Sequence, residues 1–402
     1  MIIERPDEAG KISSLKTWTM VYGRRKTGKT FLVKNYIDWD DYFFVKRDRT
    51  ILTHENESMN YDTFTTILQR NITQDRTTVI DEFHRLPDEF FDLLHSIGRG
   101  GRIILISSTL HMSQKLLSTS SPLLGLFAEI PLNIISLKDT LKAVEKLDIS
   151  LKQKLELAVI LREPIAARFL TDKSPREICS DVILFSRNAI PALVGEIFSE
   201  EERRLSGIYE GILRTIADGN LVSSEISSYL FSNKLIKKDD PSTIQNTLKN
   251  LVNLGILKRV KVHNKNRYKY KHRSPLLHLF YFADEKLNIS EREPSKKEIQ
   301  EIIDENIPSL IEDAVREHLA KKHGLTEAVI ETPDYDVDIC LLKFQEPQIV
   351  GEVKWKEKFK GNDIKKAEQV LAEITAKEKY LFVPDKERVN SDVLKVIDVT
   401  DL

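Results

Sequence analysis

Short apolar runs alternate with stretches of helical spacing over residues 1–135. The runs Trp18–Tyr22, Tyr42–Val45, Thr77–Ile80, Arg102–Ile106 and Ala128–Leu132 have the length and make-up of buried strands. Phe31–Ile37 and similar intervening segments keep helical spacing, so the pattern predicts a parallel sheet with crossover helices. Residues 136–203 read as helical with no convincing strand, and Glu200–Arg204 forms a charged seam. Residues 204–289 read as three helices followed by a basic hairpin. Residues 290–297 are polar, carry Pro294 and read as a linker. Residues 298–402 read as helix, strand, strand, helix, strand.

Composition narrows the class. A chain of 402 residues exceeds one compact core, and 41% hydrophobic with 31% charged residues describes a globular protein with a heavily charged surface. Lys plus Arg total 61 against 62 acids, so any attraction to nucleic acid must come from a local patch. Cys179 and Cys340 are too far apart in sequence for a metal or redox motif, which fits a reducing, cytoplasmic setting. No apolar run is long enough for a membrane span, and the N-terminus lacks a signal-peptide pattern.

The segment Gly23-Arg24-Arg25-Lys26-Thr27-Gly28-Lys29-Thr30 fits G-x-x-x-x-G-K-[ST], after a predicted strand and before a predicted helix. The glycines allow the backbone to turn its N–H groups toward an anion at a helix N-terminus. Lys29 would then contact the β- and γ-phosphates and Thr30 would ligate Mg²⁺. The run Thr77–Ile80 ends in Asp81 and Glu82 and is expected beside the P-loop strand. Asp81 would hold the Mg²⁺ water shell, and Glu82 would orient the attacking water. Ser107 and its neighbours, at the end of the next run, either contact the γ-phosphate or cap a helix.

These features, with Ser121–Gly125, resemble archaeal AAA-type ATPases related to the STAND class. The resemblance implies ATP as nucleotide, Arg5 beside the base, and Pro191 in a lid turn where Ala189 replaces the family's glycine. Relatives often carry an arginine after the Leu-x-Gly element, whereas this chain reads Gly125-Leu126-Phe127. Arg24, Arg25, Arg99 and Arg102 are unranked substitutes, and slow, partner-stimulated turnover is expected.

Three helices and a hairpin over 204–289 form a winged-helix pattern. Lys258 to Arg273 holds eight basic residues and no acid. Gln245, Asn246 and Lys249, with Arg259, Lys261 and Lys269 on the hairpin, are candidate contacts to duplex DNA. A solvated edge strand guarded by lysines is the alternative. In the last segment Asp338 and Glu352 lie on successive strands joined by a turn near Pro347, and Glu352 and Lys354 share a face. Glu312, on the preceding helix, would add a third carboxylate for a metal.

This segment resembles the PD-(D/E)xK restriction-endonuclease-like fold, with Ser274 in place of the family's usual Asp before Pro275. The resemblance implies phosphodiester cleavage with Mg²⁺ or Mn²⁺ at Glu312, Asp338 and Glu352, assisted by Lys354. His318 and His323 read as surface residues. The expected architecture is therefore α/β: a P-loop NTPase parallel sheet with helical lid, a winged-helix domain and an α/β restriction-endonuclease-like C-terminal domain. The expected function is an ATP-hydrolysing switch that binds DNA and cleaves it. A regulatory ATPase whose C-terminal domain binds DNA or protein without cleavage is the alternative, and a protein partner or self-association would stimulate hydrolysis.

Overall fold

The computed structural model describes residues 1–98, 100–108, 125–200, 203–356 and 361–402. Arg99, Thr109, Ser121–Leu124 and the Glu201-Glu202 part of the charged seam lie outside the described residues. The chain forms two compact units. The first holds Arg5–Asn133 with Asn253–Gly255; the second holds Met1–Glu4, Ile134–Val252 and Ile256–Leu402.

The first unit runs α1 (Pro6–Ser14), β1 (Thr19–Tyr22), α2 (Lys29–Tyr36), β2 (Asp41–Val45), β3 (Ile51–Thr53), β4 (Ser58–Met59), α3 (Tyr61–Thr73), β5 (Thr77–Asp81), α4 (Glu89–Ile97), β6 (Arg102–Ser107) and β7 (Ala128–Pro131). Among the described residues the sheet order is β4-β3-β2-β5-β6-β1-β7. Strands β2, β5, β6, β1 and β7 are parallel, and β3 and β4 extend one edge antiparallel. Alternation along the strands divides the core in two. Met20, Phe43, Ile80, Ile103 and Leu105 pack with Phe64 and Leu68 of α3 and Phe90 and Leu94 of α4. Val21, Tyr42, Val79, Ile104 and Ile106 pack with Ile12 of α1 and with Leu32 and Val33 of α2. Burial on both faces is the condition under which parallel strands read as continuous apolar runs.

One expectation is corrected here. The Asp81 strand does not lie beside the P-loop strand, because β6 pairs with both and separates them. Ile103, Ile104, Leu105 and Ile106 are all fully buried, as expected of an interior strand covered on both faces.

The second unit runs α5 (Leu137–Val144), α6 (Leu151–Leu161), α7 (Pro175–Ser186), α8 (Ala189–Glu200), α9 (Arg203–Ala217), α10 (Ser223–Ser232), α11 (Gln245–Asn253), β8 (Leu257–Val262), β9 (Tyr268–His272), α12 (Pro275–Leu287) and α13 (Lys296–His323). It continues through β10 (Thr326–Glu331), β11 (Asp336–Lys343), β12 (Glu346–Val353), α14 (Gly361–Ala372), β13 (Glu378–Phe382) and β14 (Lys395–Ile397). Ser274 caps α12 by accepting from the Leu277 N–H at 3.2 Å, which an Asp at that position would also do.

The sheet order is β14-β13-β12-β11-β10-β8-β9 among the described residues. The basic hairpin β8–β9 is thus part of the C-terminal sheet. Strand β8 pairs with β10 in parallel through Ala328↔Lys261 and Val329↔Val262, and the His263 N–H donates to the Val329 carbonyl at 2.8 Å. Strands β10 and β14 go beyond the predicted helix–strand–strand–helix–strand series. The β11–β12 turn also differs. It lies at Phe344-Gln345, both at positive φ, and Pro347 belongs to β12.

Candidate functional site: a phosphate loop and a buried carboxylate cluster

In the first unit the loop between β1 and α2 has the geometry its glycines require. Gly23 sits at φ 150°, and a Cβ there would lie 2.3 Å from the Leu132 carbonyl oxygen. Gly28, at φ 89°, is the left-handed N-cap residue of α2. Helix α2 starts at Lys29, so its unpaired N–H groups open toward the loop. The Lys29 ammonium donates to the carbonyls of Gly23 and Arg24, each at 2.8 Å. Burial lowers the Lys29 pKa to about 8, against the pull of Glu82 and Asp81.

Around this loop, Arg24 and Thr27 are buried, and the Thr27 hydroxyl donates to the Arg24 carbonyl at 3.1 Å. Arg25 is half-buried, and Lys26 takes a left-handed φ of 62°. Arg5 is buried, donates to the Thr27 carbonyl at 2.9 Å and pairs with Glu8 at 3.2 Å, tying the loop to α1. Arg102 donates to the Ile12 carbonyl at 2.5 Å. Pro191 lies in the first turn of α8, in the second unit.

Asp81 meets the loop although its strand is not adjacent to β1. The Thr30 hydroxyl donates to Asp81 Oδ2 at 2.7 Å, and the Tyr42 hydroxyl donates to the same oxygen at 2.5 Å. Burial raises the Asp81 pKa, and these two donors oppose the shift. Among the described residues Asp81 Oδ1 is buried without a hydrogen-bond partner. A hydrated divalent cation would supply a donor there, so Thr30 and Asp81 fit the Mg²⁺ of a bound nucleotide. Such an ion neutralises phosphate charge.

Glu82 takes a left-handed φ of 56° and accepts from the Ser108 hydroxyl at 2.7 Å. Arg85 pairs with it at 3.1 Å, and His84 Nε2 lies 3.5 Å away. Burial lowers His84 to about 4, so the ring is neutral at pH 7. Ser107 contacts His84 Nδ1 at 3.3 Å. Tyr42 and Arg85 escape sequence reading. Tyr42 reads as one more apolar strand position, and Arg85 lies beyond the acidic pair.

In the second unit the β11–β12 register places Asp338 opposite Glu352, one pair beyond Ile339↔Gly351. Asp338 Oδ2 accepts from the Val353 N–H at 2.9 Å, and Lys354 pairs with Glu352. Among the described residues Glu352 Oε1 is buried without a hydrogen-bond partner. Burial, then the neighbouring Asp338, pushes Glu312 of α13 up to about 8. Burial raises Asp338, and burial followed by Asp338 raises Glu352. The three carboxyls therefore share one poorly solvated region.

The predicted metal set of Glu312, Asp338 and Glu352 is corrected in one respect. Among the described residues, no three His, Cys, Asp or Glu side chains are spaced to hold an ion together. Lys354 draws Glu352 toward itself, and the Val353 amide holds Asp338. Mg²⁺ commonly binds through one or two carboxylates and keeps its remaining waters, so Asp338 and Glu352 fit that mode. A metal held there would activate water and offset phosphate charge.

The basic hairpin carries its own counter-charges. Lys271 pairs with Asp313 at 2.8 Å, and Lys258 lies 3.4 Å from Glu317 and 3.5 Å from Glu327. Arg316, 1% exposed, binds Asp313, reaches Glu327 at 3.4 Å and donates to the Asp338 carbonyl at 2.9 Å. Arg162, just after α6, joins Glu317 at 2.7 Å. Lys265, Arg267 and Lys269 all converge on Glu331. Lys269 is therefore not a simple phosphate contact. Gln245, Asn246 and Lys249 remain exposed on α11. His318 also departs from expectation: it is partly buried, and its Nε2 lies 3.2 Å from the Leu402 carbonyl oxygen.

Residues 16–141, which carry the loop, Asp81 and Glu82, match the family model described as an AAA domain. No curated protein matches the chain. Among solved structures, the Aeropyrum pernix ORC2 protein in ADPNP–ADP complexes is 14% identical, with a TM-score of 0.38 over 76% of this chain and 94% of that one. The Aeropyrum pernix ORC1 protein in complex with DNA is 14% identical, with a TM-score of 0.30 over 73% and 95%. A STAND protein with a tetratricopeptide repeat sensor from Pyrococcus horikoshii is 13% identical, with a TM-score of 0.31 over 79% of this chain and 54% of that one. Likenesses at this level carry no functional argument. Among the described residues no helix is long and apolar enough to cross a membrane.

Proposed function

We propose that the chain is a Mg²⁺-dependent ATPase whose first unit acts as a nucleotide switch and whose second unit engages DNA and cleaves phosphodiester bonds. The observation that carries the nucleotide reading is the Thr30–Asp81 hydrogen bond of 2.7 Å at the mouth of the Gly23–Thr30 loop. It joins the two metal-side groups of a phosphate-transfer site across an intervening strand. The constraints on Glu82 from Ser108 and Arg85 support slow basal turnover, because a held carboxylate is not aligned on water. The winged-helix character of α9–α11 with β8–β9, and DNA contact through α11 and the hairpin, belong to the same reading.

Asp338, Glu352 and Lys354 support the cleavage step, with Glu352 Oε1 as the open acceptor. DNA binding without cleavage is the second reading, favoured by the Lys354–Glu352 pair, which competes with a metal for that carboxylate. Two measurements on the full chain test the proposal. Calorimetry should detect Mg-ATP binding that Lys29→Ala abolishes. Labelled DNA incubated with Mg²⁺ or Mn²⁺ should be cut by wild type and left intact by Glu352→Ala and Lys354→Ala. Absence of wild-type cutting in every nucleotide state decides for binding alone.

A further inference from the structure

The β11–β12 turn contains an anomaly that folding alone does not require. Phe344 is 91% exposed and sits at φ 50°, followed by Gln345 at φ 78°. A two-residue turn with both central residues at positive φ favours Asn-Gly, because a Cβ is strained there and a bulky ring is an outlier. This turn therefore places a large apolar ring in water on a backbone that disfavours it. Strain and exposure together point to a surface completed by a ligand.

The surroundings identify the ligand class. Gln345 accepts from the Lys261 ammonium at 3.1 Å, which ties the turn to the hairpin. On β8, Arg259 is exposed and Lys261 partly so, while Val260 between them is buried. The Arg259 guanidinium lies 4.9 Å from the centre of the Tyr268 ring. Tyr268 is 38% exposed and stands opposite Lys261 in the β8–β9 register. Glu331, on neighbouring β10, is already shared by Lys265, Arg267 and Lys269. Arg259 and Lys261 have no acidic partner among the described residues.

We infer that Phe344, Tyr268, Arg259 and Lys261 form a platform for a single nucleic-acid strand. Unpaired bases stack on Phe344 and Tyr268, and phosphates contact Arg259 and Lys261. A single strand suits this surface better than a duplex, because only unpaired bases offer their faces to a protruding ring. The cations supply a backbone track without sequence preference. The inference rests on the nucleic-acid part of the proposed function and adds the form of the substrate.

The test is fluorescence anisotropy on the full chain, with a short labelled oligothymidine and a duplex of equal length, each over a salt series. Phe344→Asn is the principal variant, since Asn tolerates a left-handed backbone and keeps the turn. Wild type should prefer the single strand, and Phe344→Asn should weaken it about tenfold or more while leaving duplex affinity and salt slope unchanged. Arg259→Gln should lower the salt slope by about one. Equal strand affinity for wild type and Phe344→Asn would overturn the platform. Wild-type preference for duplex would overturn it too but leave DNA binding in place. Binding of neither would overturn both.

Discussion

Asp313→Asn tests whether the basic hairpin is an integral part of the C-terminal sheet. Asp313 accepts from Lys271 of β9 at 2.8 Å and pairs with the buried Arg316. Burial alone would raise its pKa, but Lys271, Arg316 and Lys258 outweigh that and hold it below the ordinary carboxylate value. The substitution leaves two largely buried cations without their shared counter-charge. Breaking a buried pair from one side costs about 3–5 kcal/mol. Protection of the hairpin amides against hydrogen exchange should then fall by about two to four powers of ten, the same free energy read as an opening constant.

Exchange at neutral pH, followed by mass spectrometry over residues 257–272 and 326–331, reads this directly. A depressed carboxylate stabilises the fold above its unfolded pKa of about 3.9, and that contribution is lost as pH falls below it. Wild-type protection should therefore decline in acid, and the variant should lack that component. Unchanged hairpin protection in Asp313→Asn would refute the reasoning and leave the hairpin an independent wing.

Tyr42→Phe removes the 2.5 Å donor to Asp81, so the Asp81 pKa should rise and the acid limb of the ATPase pH profile should move up. A charge-assisted hydrogen bond corresponds to about one to two pH units here. Gly23→Ala forces a Cβ to within 2.3 Å of the Leu132 carbonyl oxygen, and calorimetry should show loss of nucleotide binding with about 1–3 kcal/mol of destabilisation. Glu312, raised to about 8, favours the folded state fully only below its unfolded value of about 4.3, and that contribution is lost as pH rises through 8. Glu312→Gln should therefore raise the melting temperature at pH 8 and leave it nearly unchanged at pH 4.

Local chemistry was the legible part of this chain. The Gly23–Thr30 loop and the acidic end of β5 announce themselves because spacing alone confers their geometry. Asp338 opposite Glu352 also follows from strand pairing. Long-range partners were not legible. The hairpin's lysines read as a free basic patch because their counter-charges, Asp313, Glu317, Glu327 and Glu331, lie some tens of residues later in the chain. The position of β6 between β1 and β5 is a matter of long-range strand order, which no local pattern encodes. The Phe344-Gln345 turn was hidden because it lacks Asn or Gly, whereas Pro347 offered a misleading turn signal. Tyr42 was hidden because its hydroxyl is the only polar atom of an otherwise apolar strand position.

The central claim, a Mg²⁺-dependent ATP site built on the Gly23–Thr30 loop with Asp81 and Glu82, is tested most directly by ATP hydrolysis of the full chain with and without Mg²⁺, beside Glu82→Gln. Slow basal hydrolysis that requires Mg²⁺, and none in Glu82→Gln, is the predicted result. Wild-type turnover without Mg²⁺, or equal turnover in wild type and Glu82→Gln, would contradict the claim.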